Sequence, residues 1–359
     1  MRFFFTMVFV SLFIATLACG CGAPGADGQQ TGPAQAPGGD SISIVCTIFP
    51  QYDWARQILG ANTANIELTI LQVGRADLHN FQPSVSDIAK LSTCDLFIYV
   101  GGESDGWAKG ALQQAANPGM VTINLLELLG EAALQEDSDT IIEDAHDEHD
   151  DEDDDDHDGD GGDDHDDEHD GDDDHDDEHD GAHDEHVWLS LRNAELFCRV
   201  IADAISTLDP GNAGEYIANL DAYCDRLSAL DVEYRAVVSG AGTTTLLFGD
   251  RFPFRYLAED YGLDFYAAFP GCSAETEASF QTIIILAEKV DEHNLKSVMV
   301  TESTDQSIAK TIISNTAAGN QQILALDSMQ ATTESDIQNG VTYLSIMEKN
   351  LEVLKEALK

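Results

Sequence analysis

Between Glu143 and Glu185 the chain is almost nothing but Asp, Glu, His and Gly, with 28 acidic residues, 8 His and no Lys or Arg. Such a stretch has too little apolar surface to offset the entropy of folding, so it reads as disordered when empty, yet it is dense in groups that hold divalent cations. Spacing narrows the choice of cation. Asp154, Asp156, Asp158 and Gly159 imitate the first half of a calcium loop, but the twelfth position falls on His165 where a bidentate Glu is needed, and the register from Asp166 fails too. Imidazoles at His146, His149, His157, His165, His169, His175, His179 and His183 favour zinc, with copper or nickel as alternatives. The other reading is a solvated acidic linker, in which the His would have no part.

Two further His stand in different surroundings. His186 closes the tract and is followed by Val187, Trp188 and Leu189, so its neighbours pack, and a fixed ligand needs a fixed backbone. His79 lies between the strand text "IELTILQVG" and a helix whose start is set by Pro83 and Ser84. Ligands of open α/β sheets gather on such loops, at the carboxyl ends of strands. A lone loop His is otherwise usually only solvated.

The elements that must position these residues alternate. "SISIVCTIF", "ANIELTIL" and "DLFIYVG" read as strands, and "QYDWARQIL" and "SVSDIAKLSTC" as helices between them. A second series runs from "TTTLLFG" to a terminal helix over about Val341 to Leu358. Alternation of this kind predicts an α/β fold of two lobes, each a mostly parallel sheet flanked by helices. The long text between Asn212 and Gly240, with Ile217, Leu220, Cys224, Leu227 and Val232 at helical spacing, predicts one connecting helix. The divisions expected are an N-terminal lobe over 41–210, interrupted by the tract at 143–185, a connecting helix over 211–240 and a C-terminal lobe over 241–359.

Met1 to Leu17 carries one Arg and a short apolar run ending in small residues, the form of an export signal rather than a permanent span. "TLACGCG" places Cys19 and Cys21 behind small residues, which resembles the acylation site of bacterial lipoproteins; a disulfide or inert thiols are the alternative. With the signal and lipidation site over 1–21, Gly22 to Asp40 reads as a flexible tether. The expected location is extracytoplasmic, held at the membrane by lipid. The remaining cysteines, Cys46, Cys94, Cys198, Cys224 and Cys272, show no CxxC spacing and read mostly as small buried hydrophobes. A net charge of −50, with no basic cluster, argues against nucleic acid or anionic lipid as a binding surface.

"DLHNFQPSVSD", "LFIYVGGESDGW", "DEHVWLS", "LALDS" and "GVTYLSIMEKNLEVLKEAL" occur in an order that resembles the zinc or manganese solute-binding lipoproteins of ATP-driven import systems, from about Ser41 to Lys359. The resemblance implies a monomer that captures one Zn2+, with Mn2+ as the alternative, and passes it to a membrane permease driven by an ATPase. It implies His79, His186 and a carboxylate at Asp327 as ligands. At the remaining position such proteins carry His or Glu after the first strand of the second lobe. Ungapped counting lands here on Arg251, which cannot coordinate a cation, so Asp250 is the expected donor, with Glu302, Glu275 and Glu277 as competitors. A surface zinc buffer or sensor, using the tract as its main site, is the alternative function. HExxH, GxSxG and phosphate-loop motifs are missing from the text, so an enzyme is not expected.

Overall fold

The structure is a computed structural model and describes residues 41–74, 78–136, 182–273, 277–302 and 304–359. The expected export signal, tether, Cys19, Cys21, Glu275 and the tract from His146 to His179 lie outside the described residues.

The first sheet grows from runs of branched and aromatic residues. Its elements are β1 (Ile42–Cys46), α1 (Phe49–Leu59), β2 (Ile66–Ile70), α2 (Val85–Thr93), β3 (Leu96–Tyr99), α3 (Gly106–Gln113), β4 (Val121–Asn124) and α4 (Leu125–Leu129). The order is β2-β1-β3-β4, with every pairing parallel. Two helices follow, α5 (Leu191–Leu208) and α6 (Ala213–Ser239). The second sheet comprises β5 (Thr245–Phe252), α7 (Arg255–Tyr261), β6 (Asp264–Pro270), α8 (Phe280–Glu292), β7 (Ser297–Thr301), α9 (Ser307–Asn315) and β8 (Gln322–Leu326), and the chain closes with α10 (Glu334–Gln338) and α11 (Tyr343–Ala357). Its order, β6-β5-β7-β8, is again parallel throughout and repeats that of the first sheet. Loops after β2 and β6 are therefore counterparts, as are those after β1 and β5. In open parallel sheets ligands gather at such carboxyl ends of strands.

The two lobes share one core. The largest apolar cluster runs from Ile44 to Leu358 and takes in Trp54, Trp188, Phe197, Tyr234, Phe248 and Tyr343. Trp54 meets Tyr343 edge-on at 5.2 Å and Phe197 at 5.8 Å, joining α1, α5 and α11. Helix α6 crosses between the lobes, and its buried face differs from the one the apolar spacing suggests. Leu220, Cys224 and Leu227 are buried, but Ile217 and Val232 face outward and Tyr216, Tyr223 and Tyr234 take their places. Two of the three hydroxyls find acceptors, Tyr216 on Asp209 Oδ2 at 2.6 Å and Tyr234 on the Met347 carbonyl at 2.6 Å, whereas that of Tyr223 has none among the described residues. Among the described residues no helix is long and apolar enough to cross a membrane.

Candidate metal centre

The root of the acidic tract is a short antiparallel bridge. Glu136 N–H donates to the Ala182 carbonyl (2.7 Å), Asp184 N–H to that of Leu134 (2.9 Å), and Gln135 pairs with His183 between them. Asp184, Glu185 and His186 then run straight into the core, all buried. The expectation of an unpacked tract as far as Glu185 is thus corrected at its end, where its last two acids, Asp184 and Glu185, are buried.

Asp184 explains how His186 is held. Its Oδ1 accepts the His186 backbone N–H at 2.8 Å and stands 3.1 Å from His186 Nδ1. A proton on Nδ1 facing that carboxylate leaves Nε2 as a bare lone pair. Nε2 is buried and has no hydrogen-bond partner among the described residues, an arrangement that costs about 1–3 kcal/mol unless something bonds the nitrogen. The backbone here is fixed from the second lobe. Tyr256 OH donates to the Asp184 carbonyl at 3.0 Å, Trp188 Nε1 to the Ser328 carbonyl at 2.9 Å, and Tyr343 OH to the Trp188 carbonyl at 2.8 Å. His186, expected on the first lobe, therefore sits on a strut between the two.

His79 lies in a short 3-10 turn, Leu78–Asn80, ahead of α2, which Ser84 and Asp87 start with a reciprocal capping box. Its Nδ1 is 2.7 Å from Ser104 Oγ and 3.6 Å from Glu185 Oε2. The Glu185 carboxylate is itself set by the Ser104 N–H, 3.0 Å from Oε1. Burial raises its pKa, and the bonds from Ser104 oppose that rise. The loop after β3 makes room for it: Gly102 has φ +74°, and a Cβ there would fall 2.2 Å from Glu185 Oε1. Asp105 closes the same turn by accepting the N–H groups of Val100 (2.8 Å) and Gly101 (3.2 Å), while burial pushes its carboxyl up to about 6. The motif "GGESD" is thus a cradle that orients His79 through Ser104 and Glu185. Gly102→Ala is expected to weaken zinc binding by about 10–100-fold, as loss of ligand-orienting groups generally does. Competition titration against a chelator would show it, and unchanged affinity would mean that the cradle does not orient the site.

The His79 and His186 rings lie edge to face, 5.4 Å between centroids. One ligand atom each from His79, His186 and Cys272 lies within 4.8 Å of the others, which among the described residues is the one such group of His, Cys and carboxylate donors. Bonds of about 2.0–2.3 Å in a tetrahedron put ligand atoms about 3.5 Å apart, so a small inward movement would close the set on one ion. Cys272 was read from sequence as a small hydrophobe, like the buried thiols of Cys46, Cys94, Cys198 and Cys224, but it is only half-buried. It stands just beyond β6, with its N–H on Glu136 Oε1 at 3.0 Å. Burial raises its thiol pKa, and the carboxylates of Asp184 and Glu136 add to that.

The expected carboxylates are engaged elsewhere. Asp250 lies within β5 and its Oδ2 accepts Thr301 N–H (3.0 Å) and Oγ1–H (2.5 Å), joining β5 to β7. Asp250→Ala is expected to leave tight zinc binding in place while destabilising the fold by about 1–3 kcal/mol, since two donors lose their acceptor. A urea melt and a zinc titration of the same variant test both halves. Asp327 follows β8, accepts Met329 N–H at 2.8 Å and is bracketed by Asn350 on both sides of its backbone; burial, and then Glu302, push its carboxyl up to about 6. Glu302 itself receives Ser328 N–H (2.8 Å), Ser328 Oγ–H (3.0 Å) and Ala331 N–H (3.2 Å). Glu277 is exposed. Arg251 turns its Nη1 to the Ser273 carbonyl at 3.0 Å.

The sequence model of the family described as "Zinc-uptake complex component A periplasmic" matches residues 44–357. The chain belongs to this family. Among relatives of the zinc-uptake component A family, the high-affinity zinc uptake system protein ZnuA of Bacillus subtilis is 28% identical over 351 residues, covering 98% of this chain and 96% of that protein. The zinc-binding lipoprotein AdcA of Streptococcus pneumoniae is 29% identical over 319 residues, 88% of this chain but 55% of the relative, so the chain spans about half the length of the AdcA proteins it matches. The crystal structure of the Zn(II)-bound ZnuA-like domain of that AdcA superposes with a TM-score of 0.64 at 26% identity, covering 89% of this chain and 99% of that one. The fold is that of the zinc-uptake component A family, as the motif resemblance implies.

Proposed function

We propose that this protein captures a divalent transition metal, zinc first, outside the cytoplasm and hands it to an ATP-driven import permease. The observation that carries this reading is the pair of imidazoles. His79 and His186 are 107 positions apart in sequence, come from separate structural elements, and face each other with their Nδ1 atoms already committed to Ser104 and to Asp184. Two imidazoles placed face to edge in this way suit one cation. Asp327, at the end of β8, is the carboxylate proposed to complete the set if a fourth donor is drawn in. A His-rich site favours zinc over the harder manganese. The relatives' names, which describe zinc binding and zinc uptake, support the same cargo. Lipid anchoring through Cys19 or Cys21, action as a single copy and docking on the permease belong to the proposal, as does a role in transport rather than turnover.

The acidic tract would raise the local cation concentration beside His186, as a tethered weak site does. Deletion of residues 143–181, which leaves the buried Asp184 and Glu185 in place, is expected to remove weak zinc binding and keep one tight equivalent. If the tight equivalent disappears with the tract, a surface buffer is the better reading.

A further inference from the structure

We infer that the third donor of this site is the Cys272 thiolate, so that the cargo is a borderline-to-soft cation and manganese is refused; this deepens the capture reading and rests on it. Three observations meet at Cys272. Its ligand atom and those of His79 and His186 lie within 4.8 Å of one another. The fully buried His186 ring ends in an Nε2 that no group among the described residues bonds. The Cys272 peptide is also pinned on both sides, by Glu136 Oε1 on its own N–H (3.0 Å) and by Arg251 Nη1 on the next carbonyl (3.0 Å).

The topology gives this placement a reason. β2 and β6 are counterpart strands, so the loops bearing His79 and Cys272 come from equivalent ends of the two sheets. Gly271 lets the second loop approach, since a Cβ there would fall 3.1 Å from His186 Cε1 and 2.9 Å from the Phe252 carbonyl. Arg251, which stands near the end of β5 where the resemblance looks for His or Glu, carries no donor for a cation and instead holds the loop that does. On binding, the Cys272 S–H bond is replaced by a sulfur–metal bond and the proton goes to solvent. Thiolate beside imidazole selects zinc, cobalt(II) or cadmium, whereas manganese prefers oxygen.

The test uses the full-length protein, stripped of metal, with zinc, cobalt(II) and manganese(II) salts as probes. One equivalent of zinc is expected to slow iodoacetamide alkylation of Cys272, mapped by mass spectrometry, at least tenfold. The cobalt(II) form is expected to show sulfur-to-metal charge-transfer absorption that Cys272→Ser abolishes. That variant is expected to bind zinc at least about 100-fold more weakly, the share of one ligand in a four-ligand site. Cys272→Asp, which supplies an oxygen instead, is expected to narrow the preference for zinc over manganese at least tenfold. Should Cys272→Ser not fold, alkylation and the cobalt spectrum of the unmodified protein decide alone. Absence of the charge-transfer band, or alkylation as fast with zinc as without, overturns the assignment. If His79→Ala nonetheless loses tight zinc binding, the capture reading survives that result; if it binds as well as the parent, both fall.

Discussion

His186→Ala is expected to abolish tight zinc binding while leaving the protein folded. Zinc sites with four protein ligands are worth about 10–16 kcal/mol, so one ligand accounts for about 3 kcal/mol, or at least about a hundredfold in affinity. For His186 the loss should exceed that share, because its orientation is fixed before the ion arrives: Asp184 holds Nδ1 at 3.1 Å and the backbone N–H at 2.8 Å. No search of rotamers is left to be frozen by binding. The fold itself should tolerate the change, since removing the ring also removes a buried nitrogen that has no hydrogen-bond partner among the described residues. Competition titration measures the affinity and circular dichroism the fold. A variant that stays folded and binds zinc as tightly as the parent would remove His186 from the site.

Trp188→Ala is expected to be the most destabilising of the substitutions considered, by about 3–5 kcal/mol, the range for a buried aromatic truncated to Ala. The indole is buried, lies 5.2 Å from the His186 ring and donates Nε1–H to the Ser328 carbonyl across the lobes at 2.9 Å. Its removal leaves a cavity and a carbonyl without its donor, and loosens the support behind His186. Zinc affinity should fall with stability. Trp188→Phe fills most of the cavity and should cost less, which separates packing from the hydrogen bond. Chemical denaturation gives the stability of both variants, and a loss under about 1 kcal/mol for the Ala variant would show that the strut is not rigid.

Much of this was legible in the chain. Alternation of strand and helix text located both sheets because parallel strands, buried on two faces, are continuous apolar runs bounded by turns. His186 was separable from the tract because apolar residues follow it. His79 was separable because Pro83 and Ser84 mark a helix start, which the capping box at Ser84 now explains. Cys272 was not legible, since no local pattern distinguishes it from the four buried thiols. Its position depends on β6 pairing at the sheet edge and on bonds from Glu136 and Arg251, which stand far away in sequence. The one available hint was Arg251 itself, a cation where a donor was sought, followed by Gly-Cys at the end of the next strand. Asp250 reads as available because the apolar strand text stops at Gly249, whereas β5 continues to Phe252 and engages the carboxylate with Thr301. Asp184 and Glu185 were hidden for a different reason: composition assigned them to the tract, and only packing shows that they orient the ligands.

X-ray absorption at the zinc edge, on protein carrying one equivalent of zinc, addresses the imidazole pair most directly. The expected spectrum has nitrogen neighbours at about 2.0–2.1 Å with the outer-shell scattering of two imidazole rings, and a sulfur at about 2.3 Å. His79→Ala and His186→Ala should each remove one ring from that pattern. A first equivalent surrounded by oxygen alone, with no imidazole scattering, would contradict the account.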